Sequence, residues 1–418
     1  MARLPDFAGI FVRCLSVAII VLVLSCTGTL MAETVSLPQT GQTSCWDSQG
    51  ELISCAGTMQ DGAIKAGVAW PNPRFKDNGN RTVTDNLTGL VWPKDTNVPA
   101  VDTCKGGNNM TWQAVLDYVK CLNSATYLGH TDWRLPNVNE LESLVNAQEA
   151  NQSAWLNVQM GTNVEPGFYW SCTTNSGDKF HAWYVDMGDG SVSAYYNKES
   201  LLYVWPVRSG QSGAFGNSLV WSTGQTTKYA EGDDGALRKG MAWPKPRFKD
   251  NGNQTVTDNL TGLVWSKDAG TPTVGACKGI RRTSGWQKTL DYVKCFTRID
   301  ENACKSIGKA RAMNWQNAMD YIGCLNGTNY LGRDDWRLPN RKELMSLVDR
   351  GGFMPPLPSG HPFKNVQTAA DRWYVTSTTS VGRGTAGVWF VYMSGGGYVD
   401  VMGKHSNVFY VWPVSGRR

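Results

Sequence analysis

The chain has 418 residues, a net charge of +5 and only 18% charged residues against 41% hydrophobic ones. That balance excludes a disordered chain and leaves room for two domains, each able to bury its own core. Its 18 Trp and 45 Gly point to loop-rich structure with short strands and many turns.

Residues 1–32 read as a secretory signal. Arg3 and Arg13 flank a short region, and residues 15–25 are nearly all apolar, too short a run to span a bilayer. Cleavage after Ala32 gives soluble export, the preferred reading. The stretch Val23-Leu24-Ser25-Cys26 resembles a lipobox, and a lipid on Cys26 would be the one route to a membrane. No later run is apolar enough to form a membrane helix.

The remainder divides into two copies of one module, 37–209 and 218–418, joined by the flexible linker 210–217. Asp61-Gly62-Ala63-Ile64 returns as Asp234-Gly235-Ala236-Leu237. Arg74-Phe75-Lys76-Asp77-Asn78-Gly79-Asn80 returns at 247–253. In each copy a hairpin comes first, with Asn78-Gly79 expected as a type I′ turn between Arg74-Phe75 and Thr82-Val83. A turn at Thr88-Gly89 leads into the strand Leu90-Val91-Trp92. A helix follows, with Thr111 as N-cap and Trp112, Val115, Leu116, Val119 and Leu122 on one face.

Next comes Asp132-Trp133-Arg134-Leu135-Pro136-Asn137, repeated at 335–340. Pro ends the strand, Asn137 caps a second helix, and Glu140 completes a capping box, as Glu343 does for Asn340. Short aromatic strands close each module, at 168–170, 182–185, 192–195 and 203–205. Two helices and then short twisted antiparallel strands make each module α+β.

Beyond residue 32 the cysteines fall at 45, 55, 104, 121, 172, 277, 295, 304 and 324. Cys45/Cys55, Cys104/Cys121, Cys277/Cys295 and Cys304/Cys324 are expected to pair as local disulfides, which suits an oxidising compartment. Cys172 reads as a buried free thiol. In module two the helix and its bracketing cysteines are duplicated in tandem, and the extra copy is expected at about 296–324.

The order of these motifs resembles a known family. It runs Thr-Gly-Gln with a short cysteine loop, Arg-Phe-x-Asp-Asn-Gly, Val-x-Asp-Asn-x-Thr-Gly-Leu-x-Trp, Trp-Gln-x-x-x-x-Tyr, Asp-Trp-Arg-Leu-Pro-Asn-x-x-Glu-Leu, Tyr-Trp-Ser-x-Thr-Thr and Val-Trp-Pro-Val. It is similar to the Lcl C-terminal domain family, the C-terminal domain of the Legionella collagen-like adhesin, over nearly all of both modules. The resemblance implies two tandem C-type-lectin-like modules, bacterial export, and recognition of sulfated glycosaminoglycan as in that adhesin. Trp373-Tyr374-Val375-Thr376-Ser377-Thr378-Thr379 and the inserted helix depart from the pattern.

Several side chains could carry chemistry. Asp77, Asn80, Asp85, Asp250, Asn253 and Asp258 offer oxygen ligands that would suit calcium. The spacing is not that of an EF-hand, and these are also the residues of tight turns, the preferred reading. His130, His181, His361 and His405 have no His at the matching positions of the other copy, so no catalytic set repeats and the chain reads as a non-enzyme.

The strongest signal is a basic strip: Lys278, Arg281, Arg282, Lys288, Lys294, Arg298, Lys305, Lys309 and Arg311, opposed by Asp291, Asp300 and Glu301. Such a strip binds polyanions by charge and by bidentate Arg contacts. The alternative is a solvated face. No nucleic-acid motif is present. The expectation is an exported adhesin-like protein of the envelope or exterior that binds acidic polysaccharide. The rivals are an enzyme on a formylglycine-generating-enzyme-like fold and a structural envelope protein that docks another protein.

Overall fold

The computed structural model describes residues 34–96, 104, 106–107, 109–161, 163–209, 220–274, 277, 312–370, 372–406 and 408–416. The expected signal at 1–32 and the expected linker at 210–217 lie outside them. Glu33–Arg418 forms one compact unit.

Module one begins with β1 (Cys45–Trp46), β2 (Leu52–Ile53), the one-turn helix α1 (Asp61–Ile64), β3 (Phe75–Asp77), β4 (Thr82–Asp85), β5 (Leu90–Pro93) and β6 (Asn109–Met110). Three helices follow, α2 (Trp112–Ser124), α3 (Val138–Glu142) and α4 (Gln152–Gln159). It closes with β7 (Phe168–Thr174), β8 (Ala182–Asp186), β9 (Val192–Ser193), β10 (Leu202–Tyr203) and β11 (Arg208–Ser209).

Module two repeats the plan. It has α5 (Asp234–Leu237), β12 (Phe248–Asp250), β13 (Thr255–Asp258), β14 (Val264–Ser266), α6 (Trp315–Gly327) and α7 (Arg341–Ser346). Its closing strands are β15 (Trp373–Ser380), β16 (Gly387–Tyr392), β17 (Tyr398–Gly403), β18 (Phe409–Tyr410) and β19 (Val414–Ser415).

The fold is α+β. Each module has a four-stranded sheet, β11-β5-β4-β3 and β12-β13-β14-β19. The late strands of both modules join in one sheet of order β18-β15-β16-β17-β9-β8-β7-β10-β6. The junction is antiparallel, with Val399 opposite Val192. One apolar cluster spans both modules, from Trp92, Leu141 and Trp183 to Trp265, Leu344 and Trp412, and each module has a further cluster around its long helix, at Trp112 and at Trp315.

The helices form where their caps predict. Thr111 accepts from Ala114 N at the start of α2, and Trp112, Val115, Leu116, Val119 and Leu122 are buried. Both capping boxes are present, Asn137 with Glu140 and Asn340 with Glu343. The two-helix expectation misses α4. Asn151 caps it, Leu156 enters the core, and Trp155 packs on Trp70 and Phe75.

The first hairpin also differs from expectation. The pairing Asp77↔Val83 leaves a loop longer than a two-residue type I′ turn. Positive φ falls at Gly79 (74°) and Arg81 (66°), and Asn78 is not in that region. The loop residues bond to one another instead. Asp77 accepts from Gly79 N, and Asn80 accepts from the Thr82 amide and hydroxyl.

The segment before each hairpin, 34–70 and 220–243, acts as an arm that reaches the other module. The first docks α1 on β15, the second docks α5 on β7. Asn340 of α7 donates to Ala66 O, and Asn137 of α3 donates to Lys239 O. Gln42 exchanges two bonds with the Thr379 backbone, and Gln225 does the same with Thr174. Each module is thus completed by the arm of its neighbour.

Candidate binding face of the second module

The Arg of each Asp-Trp-Arg-Leu-Pro motif builds the platform rather than a site. Arg134 forms two bonds with Glu140, of 2.5 and 2.6 Å, and Arg337 forms two of 2.6 Å with Glu343. All four side chains are buried. The same carboxylates accept the N-cap amides, so one Glu serves both the Arg and the capping box. The sequence shows the capping box, but not the Arg partner six positions before it.

At the seam between modules, Glu142 of α3 faces Lys342 Nζ at 3.2 Å and Arg341 Nε at 3.4 Å, all buried. Arg341 also lies 4.1 Å over Trp389, and Arg350 lies 3.9 Å over Trp183. Burial pushes Arg350 down to about 9. Cys172 is a buried free thiol whose burial raises its pKa, the opposite of what a nucleophile needs.

The calcium candidates lie at strand ends, as Asp77, Asp85, Asp250 and Asp258 do, or in the hairpin loops, as Asn80 and Asn253 do. Asp77 pairs with Lys94 and Asp250 with Lys267. Asp85 accepts both Arg74 Nε (3.2 Å) and Arg74 Nη2 (3.1 Å), together with Leu87 N and the Thr88 hydroxyl. Asp258 is held the same way by Arg247, Leu260 N and Thr261. Asn253 repeats the role of Asn80 on Thr255. Among the described residues no three His, Cys, Asp or Glu side chains gather as a metal site.

Three disulfides are formed among the described residues. Cys45–Cys55 and Cys104–Cys121 match expectation. Cys277 does not pair with Cys295, nor Cys324 with Cys304; Cys277 is bonded to Cys324, 47 positions away. The reason lies in which helical copy fills the core. It is α6, with Trp315, Met319, Ile322 and Leu325 buried where module one has Trp112, Leu116, Val119 and Leu122. Cys324 therefore takes the place of Cys121, and Cys277 that of Cys104. The inserted copy is the upstream one, inside the loop that the bridge closes, and not about 296–324.

All nine residues of the basic strip, Lys278, Arg281, Arg282, Lys288, Lys294, Arg298, Lys305, Lys309 and Arg311, lie outside the described residues, as do Cys295 and Cys304. What is described is the root of the strip. Val274 bridges to Cys277, Cys277 is bonded to α6, and Met313 pairs with Phe409. Beside this root a cleft of about 580 Å³ opens between the loop of the first arm and module two. Thr43, Thr58, Met59 and Lys65 line one wall, Asn326 and Asp335 the other. Met59 packs against the same cluster as Cys324, so cleft and root adjoin.

Comparison with known families finds the Lcl C-terminal domain. The model of the Lcl C-terminal domain fits residues 81–208 and again 254–415, leaving both arms outside. No curated protein matches the chain.

Proposed function

The chain belongs to the Lcl C-terminal domain family, in two copies, and on that premise we propose that it is an exported, non-enzymatic adhesin-type protein whose basic insertion binds acidic polysaccharide. The two modules are read as C-type-lectin-like. The observation that carries this reading is where the charge lies. Residues 278–311 hold nine cations against three carboxylates, a net +6, while the whole chain carries +5, so everything else sums to −1. Cys277, which directly precedes that stretch in the chain, is bonded to Cys324 of α6.

Elsewhere the buried cations are committed to carboxylates or to ring faces, as for Arg74, Arg134, Arg247, Arg337 and Lys342. A cluster of one sign raises the local concentration of a polyanion and gives Arg its bidentate contacts to sulfate or carboxylate. Three disulfides fit an oxidising compartment outside the cytoplasm. No helix among the described residues is long and apolar enough to cross a membrane.

The test is binding of immobilised heparin and of a neutral polysaccharide across a salt series. Binding to heparin alone, weakening as salt rises, is expected. The variant with Arg281, Arg282, Lys305 and Lys309 all changed to Ala should lose it while unfolding at the same temperature. Salt-independent binding, or an unaffected variant, would overturn the reading.

A further inference from the structure

Lys198 and Lys404 are the same residue of the repeat. The Lys198 amide donates to Phe180 O (2.8 Å) and its carbonyl accepts from Trp112 N (2.9 Å). Lys404 does likewise with Ala386 O (2.8 Å) and Trp315 N (3.0 Å). Each ammonium lies over the ring of that Trp, at 3.8 and 4.3 Å.

What covers them differs. Over Lys404 sits the disulfide loop of the first arm. Trp46 O and Asp47 O accept from its Nζ at 3.2 and 2.9 Å, and Gly50 O accepts from the Thr385 hydroxyl beside Ala386. The Thr379 hydroxyl is left without a partner.

The second arm has no such loop. Asp61 follows Gln42 by 19 positions, whereas Asp234 follows Gln225 by nine. Lys198 therefore bonds to Thr174, the counterpart of Thr379, at 2.8 Å; of the arm, Tyr229 approaches it at 5.6 Å from the ring centre, and the Asp233 carboxylate is near enough to favour its charge. Where Thr385 is partly covered, its counterpart Lys179 is exposed, and Phe180 beside it is 70% exposed.

We propose that this face of module one, Lys198, Phe180 and Lys179, is a docking site for an acidic turn of a second protein, seated as the Cys45–Cys55 loop is seated on module two. The occupant is a peptide turn because the filled copy shows one, giving two successive carbonyls to the lysine. It is acidic because the covering loop places Asp47 near Lys404, and because Lys179 stands where module two has Thr385. Burial lowers Lys198 to about 8 against the opposing pull of Asp233, and a further carboxylate arriving on the open side would hold its proton in place. Phe180 supplies apolar area at the centre of the contact. This site includes no residue of the basic insertion and does not depend on the polysaccharide reading.

The probe is the oxidised synthetic peptide of residues 44–59, fluorescently labelled and titrated into the full exported chain. Saturable binding is expected, at least tenfold weaker in Lys198→Met and in Phe180→Ser, the latter a surface change that leaves the core intact. The variant lacking Arg281, Arg282, Lys305 and Lys309 should bind the peptide as the parent does. Absence of binding, equal binding to the Lys198 and Phe180 variants, or loss in the insertion variant alone would overturn the proposal. Displacement of the peptide by a heparin hexasaccharide in the insertion variant would assign the face to a saccharide instead.

Discussion

The Thr378 hydroxyl donates to a carboxylate oxygen of Asp61 at 2.6 Å, across 317 positions of chain. Thr173 makes the matching bond to Asp234 at 2.7 Å. Each Asp also accepts from a Thr of its own arm, Thr40 or Thr223. These four hydroxyls fasten the crossed arms.

Both carboxyls are buried, and burial pushes each up to about 6, with the hydroxyl donors opposing the shift. A folded-state pKa above the unfolded one gives stability that is complete below about 3.9 and is lost as pH rises through about 6. The seam should therefore strengthen as pH falls from 7.5 to 5. Changing Asp61 and Asp234 to Asn should remove roughly 1 kcal/mol per carboxylate from the difference in unfolding free energy between those two pH values. Urea titrations of parent and variant measure this, and an unchanged difference contradicts the assignment.

Glu140→Gln leaves Arg134 buried beside a neutral partner. Such a break costs about 3–5 kcal/mol. Glu343→Gln, opposite Arg337, should cost a similar amount because the geometry repeats. Chemical denaturation of each variant gives the number. A loss below ~1 kcal/mol at either site would mean that the pair does not hold the motif.

Digestion without reduction, followed by mass spectrometry, should recover peptides joined through Cys277 and Cys324. Bridges from Cys277 to Cys295 and from Cys304 to Cys324 would contradict the structure. Closing a loop of 47 positions restrains the unfolded chain strongly. Cys324→Ser is expected to lower stability by about 4 kcal/mol.

Local structure was legible because its signals are local. Thr111, Asn137 and Asn340 sit within three residues of the amides they cap, and the 3.6 period of α2 shows in five residues. The arms were not legible, because Asp61 and Thr378 read separately as ordinary polar residues and their partnership exists only in space. The disulfides of module two misled for a physical reason. Tandem copies of one helix give each cysteine a plausible near neighbour, and only core packing decides which copy is the original. In the hairpin, Asn78-Gly79 carried the right residue types for a tight turn, but the Asp77 and Asn80 side chains stabilise a longer loop.

The insertion can be removed cleanly. The bridge spans 17 positions in module one and 47 in module two, so deleting residues 280–309, a stretch of 30, restores the shorter spacing and leaves Cys277 and Cys324 to pair. The most direct measurement is heparin affinity of this deletion against the full chain at low salt. The account predicts a variant that unfolds like the parent and no longer binds. A folded deletion variant that keeps the parental affinity would contradict it.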